Sequence, residues 1–198
     1  KVGNVTIKNR IMSTGHDTSL PREHKVNDAL VAYQEARARG GCGLIVVQVA
    51  SVHETAQYTS HVLMAVDDSC IPGYRRLVDV CHGHGATVFG QLFHPGREIM
   101  EGLDGSAPIA YAPSAVPNER FHMMPRPLSK ALIASIVEGY GMAAARLKRA
   151  GLDGVEIVAS HGYLPSQFLN PRLNLRTDEY GGSLENRLRF TREIAAAR

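Results

Sequence analysis

The chain has 198 residues, 44% of them hydrophobic and 21% charged, with a formal net charge of +3. That composition supports one packed domain and excludes a disordered chain. No run of Lys and Arg and no aromatic-basic patch is present, which argues against a nucleic-acid partner, and no apolar run approaches the ~18 residues of a membrane span.

Four strand-then-helix units can be traced in chain order. Residues 9–14 (NRIMST) read as a short first strand. Residues 28–39 carry helical spacing at Leu30, Val31, Ala32, Tyr33 and Ala36 and end at Gly40-Gly41. Residues 44–49 (LIVVQV) are continuously apolar, the pattern of a parallel strand buried on both faces. A helix over 74–84 is begun by Pro72 and closed by Gly85. Residues 86–92 (ATVFGQL) form the third strand. The Gly/Pro-rich stretch 95–126 is long for a simple connection and reads as a lid or binding loop. The longest helix, 129–150, is capped by Ser129 and ended by Gly151. Residues 153–158 form the fourth strand, in which Gly154-Val155-Glu156-Ile157-Val158 reads as buried. Gly181-Gly182-Ser183 then turns the chain into a helix over 184–197, with Ser183 as N-cap.

Alternating βα units mean a parallel sheet. No GxGxxG or GxxxxGK[ST] loop is present, which argues against a doubly wound nucleotide fold. A (β/α)8 TIM barrel runs to about 250 residues, so this α/β chain supplies about the first four units. Residues 1–198 are read as the N-terminal part of one such barrel domain. The sequence begins at Lys1 without a Met and stops at Arg198 inside a helical pattern, so it is expected to be part of a longer protein. No segment has the pattern of a signal peptide. The three cysteines, Cys42, Cys70 and Cys81, are odd in number and lack metal-ligand spacing. They fit a reducing, cytoplasmic setting.

Polar residues gather at the strand ends. Thr14, Gly15, His16 and Asp17 follow strand one, and Gln48 ends strand two. Gln91, His94 and Arg97 belong to strand three, and His161 and Tyr163 follow strand four. In a barrel this is the catalytic face. A Gln amide, with one acceptor and two donors, suits the edge of a heterocycle. A phenol can deliver a proton to carbon. His94 and Arg97 are read as ordering their loop. Arg172, Arg176, Arg187, Arg189 and Arg192 interleave with Asp178, Glu179, Glu185 and Glu193, the pattern of a salt-bridged face. Arg176, Asp178, Glu185 and Arg187 are expected to pair around the YGGS turn.

The stretch HGYLPSQFLNPRLNLRTDEYGGSLENRLRF, from His161 to Phe190, resembles the signature of the old yellow enzyme family of FMN-dependent NAD(P)H:flavin oxidoreductases. GQLFHPGR around Gln91 and the opening GNVTIKNRI resemble the same family. The resemblance implies an FMN-binding barrel that takes electrons from NAD(P)H and reduces an activated alkene, an enoate or dienoyl compound. It implies flavin contacts at Thr14, Gly15, Ala50, Gln91 and His161, with Tyr163 as proton donor and His161 as its catalytic companion. The implied partner is a small-molecule substrate.

Two departures refine this. Val158 stands where many members carry a second His. That resembles the long, multidomain branch that includes 2,4-dienoyl-CoA reductases and trimethylamine dehydrogenase, and leaves room for a 4Fe-4S cluster in a C-terminal part beyond these residues. Asp17 stands where the amine dehydrogenase has a flavin-tethering Cys, so FMN is expected to be non-covalent.

Three other readings compete. One is oxidative demethylation of a small amine by FMN. A second is a metal-dependent barrel hydrolase using His16, His94 and His161. It is weak because the only HxH, His82-Gly83-His84, precedes strand three, and no metal ligand is assigned. The third is a non-catalytic fragment, whose open sheet edges would favour a homo-oligomer.

Overall fold

The computed structural model describes residues 1–100, 105 and 108–197. Its elements in chain order are β1 (Met12–Ser13), α1 (Asp28–Arg39), β2 (Leu44–Ser51), β3 (Leu63–Met64), α2 (Ile71–Gly83), β4 (Thr87–Phe93), β5 (Tyr111–Ala112), β6 (Arg126–Pro127), α3 (Lys130–Arg149), β7 (Gly154–Ile157), α4 (Leu164–Leu169) and α5 (Leu184–Ala196). The chain divides into two compact units. One comprises Lys1–Ala50, His61–Leu92 and Ala143–Ile157; the other comprises Ser51–Ser60, Phe93–Met142 and Val158–Arg198.

The first unit holds the sheet, in the order β1-β2-β4-β7, with β3 also paired to β2. The β1–β2 and β4–β7 pairs are parallel, as the alternating βα pattern predicts. All eight residues of β2 are buried, which accounts for its unbroken run of Ile and Val. Helix α1 starts where Asn27 accepts a hydrogen bond from the Leu30 N–H at 3.0 Å. It ends at Gly40 and packs on α2. Helix α2 begins three residues before the predicted Tyr74. Asp67 caps a short 3-10 turn over Asp68–Cys70, and that turn feeds a first helical turn containing Pro72. Proline is favoured there because the first N–H groups of a helix have no partner inside it.

Strand β7 departs from expectation. It reads as buried, yet Glu156 is exposed and Val155 retains 37% of its exposure. The cause is position: among the described residues β7 is an outer strand of the sheet, paired with β4 alone. Gln48 likewise does not end strand two, because β2 continues to Ser51.

In the second unit, the stretch read as a lid is tied down where it is described. β5 and β6 pair in parallel, and Arg97 donates to the carbonyls of Val116 at 3.2 Å and Pro117 at 2.6 Å. Residues 101–104, 106 and 107 of that stretch lie outside the described residues. The basic–acidic face is only partly salt-bridged. Arg176 grips Asp178 through two bonds of 3.0 and 2.6 Å. Glu185, however, meets Arg192 at 3.7 Å, and Arg187 donates to the carbonyls of Leu169 and Gly182. Arg189 donates to the Glu179 carbonyl. The carbonyls win because each offers a fixed acceptor close to the helix that carries the arginine.

Candidate active site

In the first unit, Gln91 is the central polar group. It faces Glu156 across the β4–β7 pair, as its register partner, and its Nε2 donates to Glu156 Oε1 at 2.5 Å. Gly15, just past β1, lies against the same amide. A Cβ on Gly15 would fall 2.7–2.8 Å from Gln91 Oε1, Cδ and Nε2. Only glycine leaves the amide this place.

Gln48 holds the loop that carries Gly15. Its fully buried amide donates from Nε2 to Asp17 Oδ1 at 3.1 Å, and its Oε1 accepts the Thr18 hydroxyl at 2.6 Å. Every polar atom of this buried side chain therefore has a partner. Thr14 is exposed beside Gly15, and its carbonyl accepts from His16 Nδ1 at 3.1 Å. A carbonyl cannot donate, so Nδ1 carries the proton and Nε2 accepts the Tyr33 hydroxyl. Ala50 is wholly buried in β2.

In the second unit, His161 and Tyr163 come together, with ring centroids 5.9 Å apart. Tyr163 occupies the N-cap position of α4. The edges of Phe93 at 5.1 Å and Tyr58 at 5.8 Å hold its ring. His161 is exposed, with φ of 59°, followed by Gly162 at 78°. A histidine in this left-handed region is uncommon and persists where the surroundings enforce it. One enforcing contact is Gln167 on α4, fully buried, whose Nε2 donates to Gly162 O at 2.6 Å and Pro95 O at 3.0 Å. The His161 Nδ1 meets Ser160 Oγ at 2.6 Å.

His94 orders the exit of β4, as its motif suggests. It is fully buried, and the Gly96 N–H donates to its Nδ1 at 3.0 Å. The proton must therefore sit on Nε2, which donates to Thr55 Oγ1 at 2.9 Å. That hydroxyl meets His53 Nδ1 at 2.8 Å, and His53 Nε2 meets Ser135 Oγ at 3.1 Å. Burial, reinforced by His53, pushes the His94 pKa down to about 3, so the ring is neutral. Burial also lowers His53, against the opposing pull of Glu54.

Two of the three histidines invoked for a hydrolase are otherwise engaged. His16 and His94 have both ring nitrogens in hydrogen bonds. His82 pairs with Asp153 at 2.8 Å, and His84 with Glu35 at 3.5 Å. Among the described residues, no group of three or more His, Cys, Asp or Glu side chains is placed to hold a metal ion. No described helix is long and apolar enough to cross a membrane.

Glu156, Gln167 and Tyr58 were not singled out by the sequence reading. For Glu156 a signal existed: it is the one charge inside an otherwise apolar strand.

Residues 1–197 match the profile of the NADH:flavin oxidoreductase / NADH oxidase family. The chain is 41% identical over 197 residues to a metal reductase of Desulforamulus reducens, covering 100% of this chain and 29% of that protein. It is 36% identical over 191 residues to a multifunctional alkene reductase/demethylase OYE of Caballeronia cordobensis, covering 96% of this chain and 28% of that protein. Among solved structures, morphinone reductase superposes with a TM-score of 0.88 at 32% identity, covering 98% of this chain and 56% of that one. The chain thus spans from 28% to 56% of the length of these proteins. At this agreement the fold is the (β/α)8 barrel, and the chain supplies about its first four βα units.

Proposed function

The chain belongs to the NADH:flavin oxidoreductase / NADH oxidase family, and we propose that the protein is an FMN-dependent enzyme that uses NAD(P)H to reduce an activated C=C bond. The observation that carries this reading is the His161–Tyr163 pair, an imidazole and a phenol with ring centroids 5.9 Å apart on a constrained backbone.

The residues of the first unit fit a flat heterocycle. Gly15 leaves the place that the Gln91 amide takes. The Gln91 amide, with a carbonyl and one N–H beyond the bond to Glu156, suits the hydrogen-bonding edge of a flavin pyrimidine ring. Thr14, exposed beside Gly15, lines the same strand end in this reading, and Ala50, wholly buried in β2, backs it. When bound, FMN would supply the two-electron chemistry between NAD(P)H and the alkene. His161 would hydrogen-bond the flavin or a substrate oxygen. Tyr163 delivers a proton to the alkene carbon that becomes electron-rich, as a general acid. The rings of Phe93 and Tyr58 keep its phenol in one orientation.

Oxidative demethylation of a small amine is a second reading. It is favoured by buried Val158 in place of a second substrate-binding His and by the demethylase relative. Turnover with enones against N-methyl amines separates the two. The first reading expects enone-dependent NAD(P)H oxidation by the full-length protein; turnover of N-methyl amines alone would overturn it. Acid precipitation is expected to release a yellow chromophore into the supernatant, since Asp17 offers no thiol to tether it. An absorption spectrum of the same protein would also display iron–sulfur bands if its C-terminal region holds a 4Fe-4S cluster.

A further inference from the structure

Glu156 has no role in the chemistry outlined above, yet among the described residues it makes the one side-chain hydrogen bond that orients Gln91. The two residues are directly opposed in the parallel β4–β7 pair. Opposed residues leave the same face of a sheet, and here they meet at 2.5 Å. An ionised carboxylate only accepts hydrogen bonds. The Gln91 atom turned toward Glu156 must therefore be the NH2 group, and the carbonyl oxygen is turned away. A neutral partner with both donor and acceptor would permit either orientation. Gly15 closes the other side, with its Cα backbone directly against the amide. Gln91 is thus restrained by a charge that decides its orientation and by a glycine that admits its plane.

We propose that Glu156 is a positioning residue for the flavin, acting through Gln91. The pyrimidine edge of a flavin is an imide, a ring N–H flanked by carbonyl oxygens. The Gln91 orientation set by Glu156 offers a carbonyl to that N–H and its second N–H to a flanking oxygen. The flipped amide would set carbonyl against carbonyl. The inference rests on the reading of Gln91 as a flavin contact, and it assigns a function to a charge on an exposed strand face.

The test is a double-mutant cycle on FMN affinity, measured by fluorescence titration of the full-length apo protein with FMN. Glu156→Met keeps the side-chain length but removes the acceptor. It is expected to weaken FMN binding about 10-fold, the weight of one charge-assisted hydrogen bond. Glu156→Gln can accept or donate, so it admits both orientations of the Gln91 amide and is expected to weaken binding by only about 2- to 3-fold. In a Gln91→Ala background, Glu156→Met is expected to produce no further loss, because it has no amide left to orient. Circular dichroism and thermal unfolding of each apo variant report folding independently of the ligand. If the Met variant does not fold, Glu156→Ala, which also removes the acceptor, takes its place in the cycle with the same expectation. Equal losses in wild-type and Gln91→Ala backgrounds would overturn the positioning role. Loss in Gln91→Ala with wild-type affinity in Glu156→Met would overturn it too, leaving the flavin reading intact. Wild-type affinity in Gln91→Ala would overturn the flavin reading itself.

Discussion

At the scale of single residues, Tyr163 carries the sharpest expectation. Its ring is held edge-on by Phe93 and Tyr58, so Tyr163→Phe keeps the ring packing and removes the hydroxyl proposed as the acid. In rapid-mixing experiments, reduction of the bound flavin by NAD(P)H is expected to stay near wild type. The enone half-reaction is expected to slow by roughly 10²–10⁴-fold, the usual weight of a general acid. Reoxidation by oxygen, which needs no proton at carbon, is expected to persist. Equal enone rates in mutant and wild type would remove Tyr163 from the acid role and raise the amine reading. Tyr163, His161 and Gln91 stand out in sequence as candidates because each is a polar residue near a strand end within a dense motif. Glu156 carries only the weak signal of a lone charge in an apolar run, which an ordinary solvent-facing strand residue gives as well. Its meaning comes from its register partner, which only the paired sheet reveals.

At the scale of elements, α4 and the exit of β4 form one connected piece, and two expectations belong to it. Gln167 ties Pro95, Gly162 and Arg97 together through three backbone contacts. Gln167→Ala leaves those buried groups without that partner and is expected to cost about 1–3 kcal/mol in urea unfolding. An unchanged midpoint would show that solvent replaces the amide freely. His94 gives the second. Its pKa is about 3 when folded and 6.5 in its ordinary state, so the unfolded chain binds the extra proton between those values. Stability from this group is fully present above pH 6.5 and is lost as pH falls toward 3. The loss between pH 7.5 and pH 5 is expected to be about 2 kcal/mol, with His53 contributing in the same direction. Urea unfolding at the two pH values should show a shallower dependence for His94→Asn. Parallel dependences would place the effect elsewhere.

Elements with strong punctuation were legible. The bounds of α1 come out as read, because Asn27, Asp28 and Gly40 mark both ends. Helix α4 escaped notice because its six residues are too few for a 3.6-residue period to show. The β5–β6 pair escaped because two-residue strands carry no alternation. The exposure of β7 was also invisible, since an apolar run reads as buried until the sheet order shows which strands are outermost.

At the scale of the molecule, β1 and β7 are the outer strands of the described sheet. Ile11, Met12 and Val155 retain 59%, 50% and 37% exposure there. Unpaired edges of this kind template further pairing. The isolated 198-residue chain is therefore expected to self-associate at micromolar concentration in light-scattering measurements. Met12→Lys and Val155→Lys together are expected to shift it toward the mass of one chain. A wild-type chain that is already monomeric would show these edges to be inert.

The parallel ladder has a consequence in time. Gln91 and Glu156, which meet across it, are 65 positions apart along the chain, and a parallel pair can never be closed by a tight turn. The chain must lose the entropy of a long loop before that contact returns any stabilisation. Refolding from denaturant should therefore run in milliseconds to seconds or slower, as in other folds dominated by non-local pairing. Substitutions at the β4–β7 junction should reveal, through the folding and unfolding arms of the kinetics, whether this ladder forms before or after the rate-limiting step.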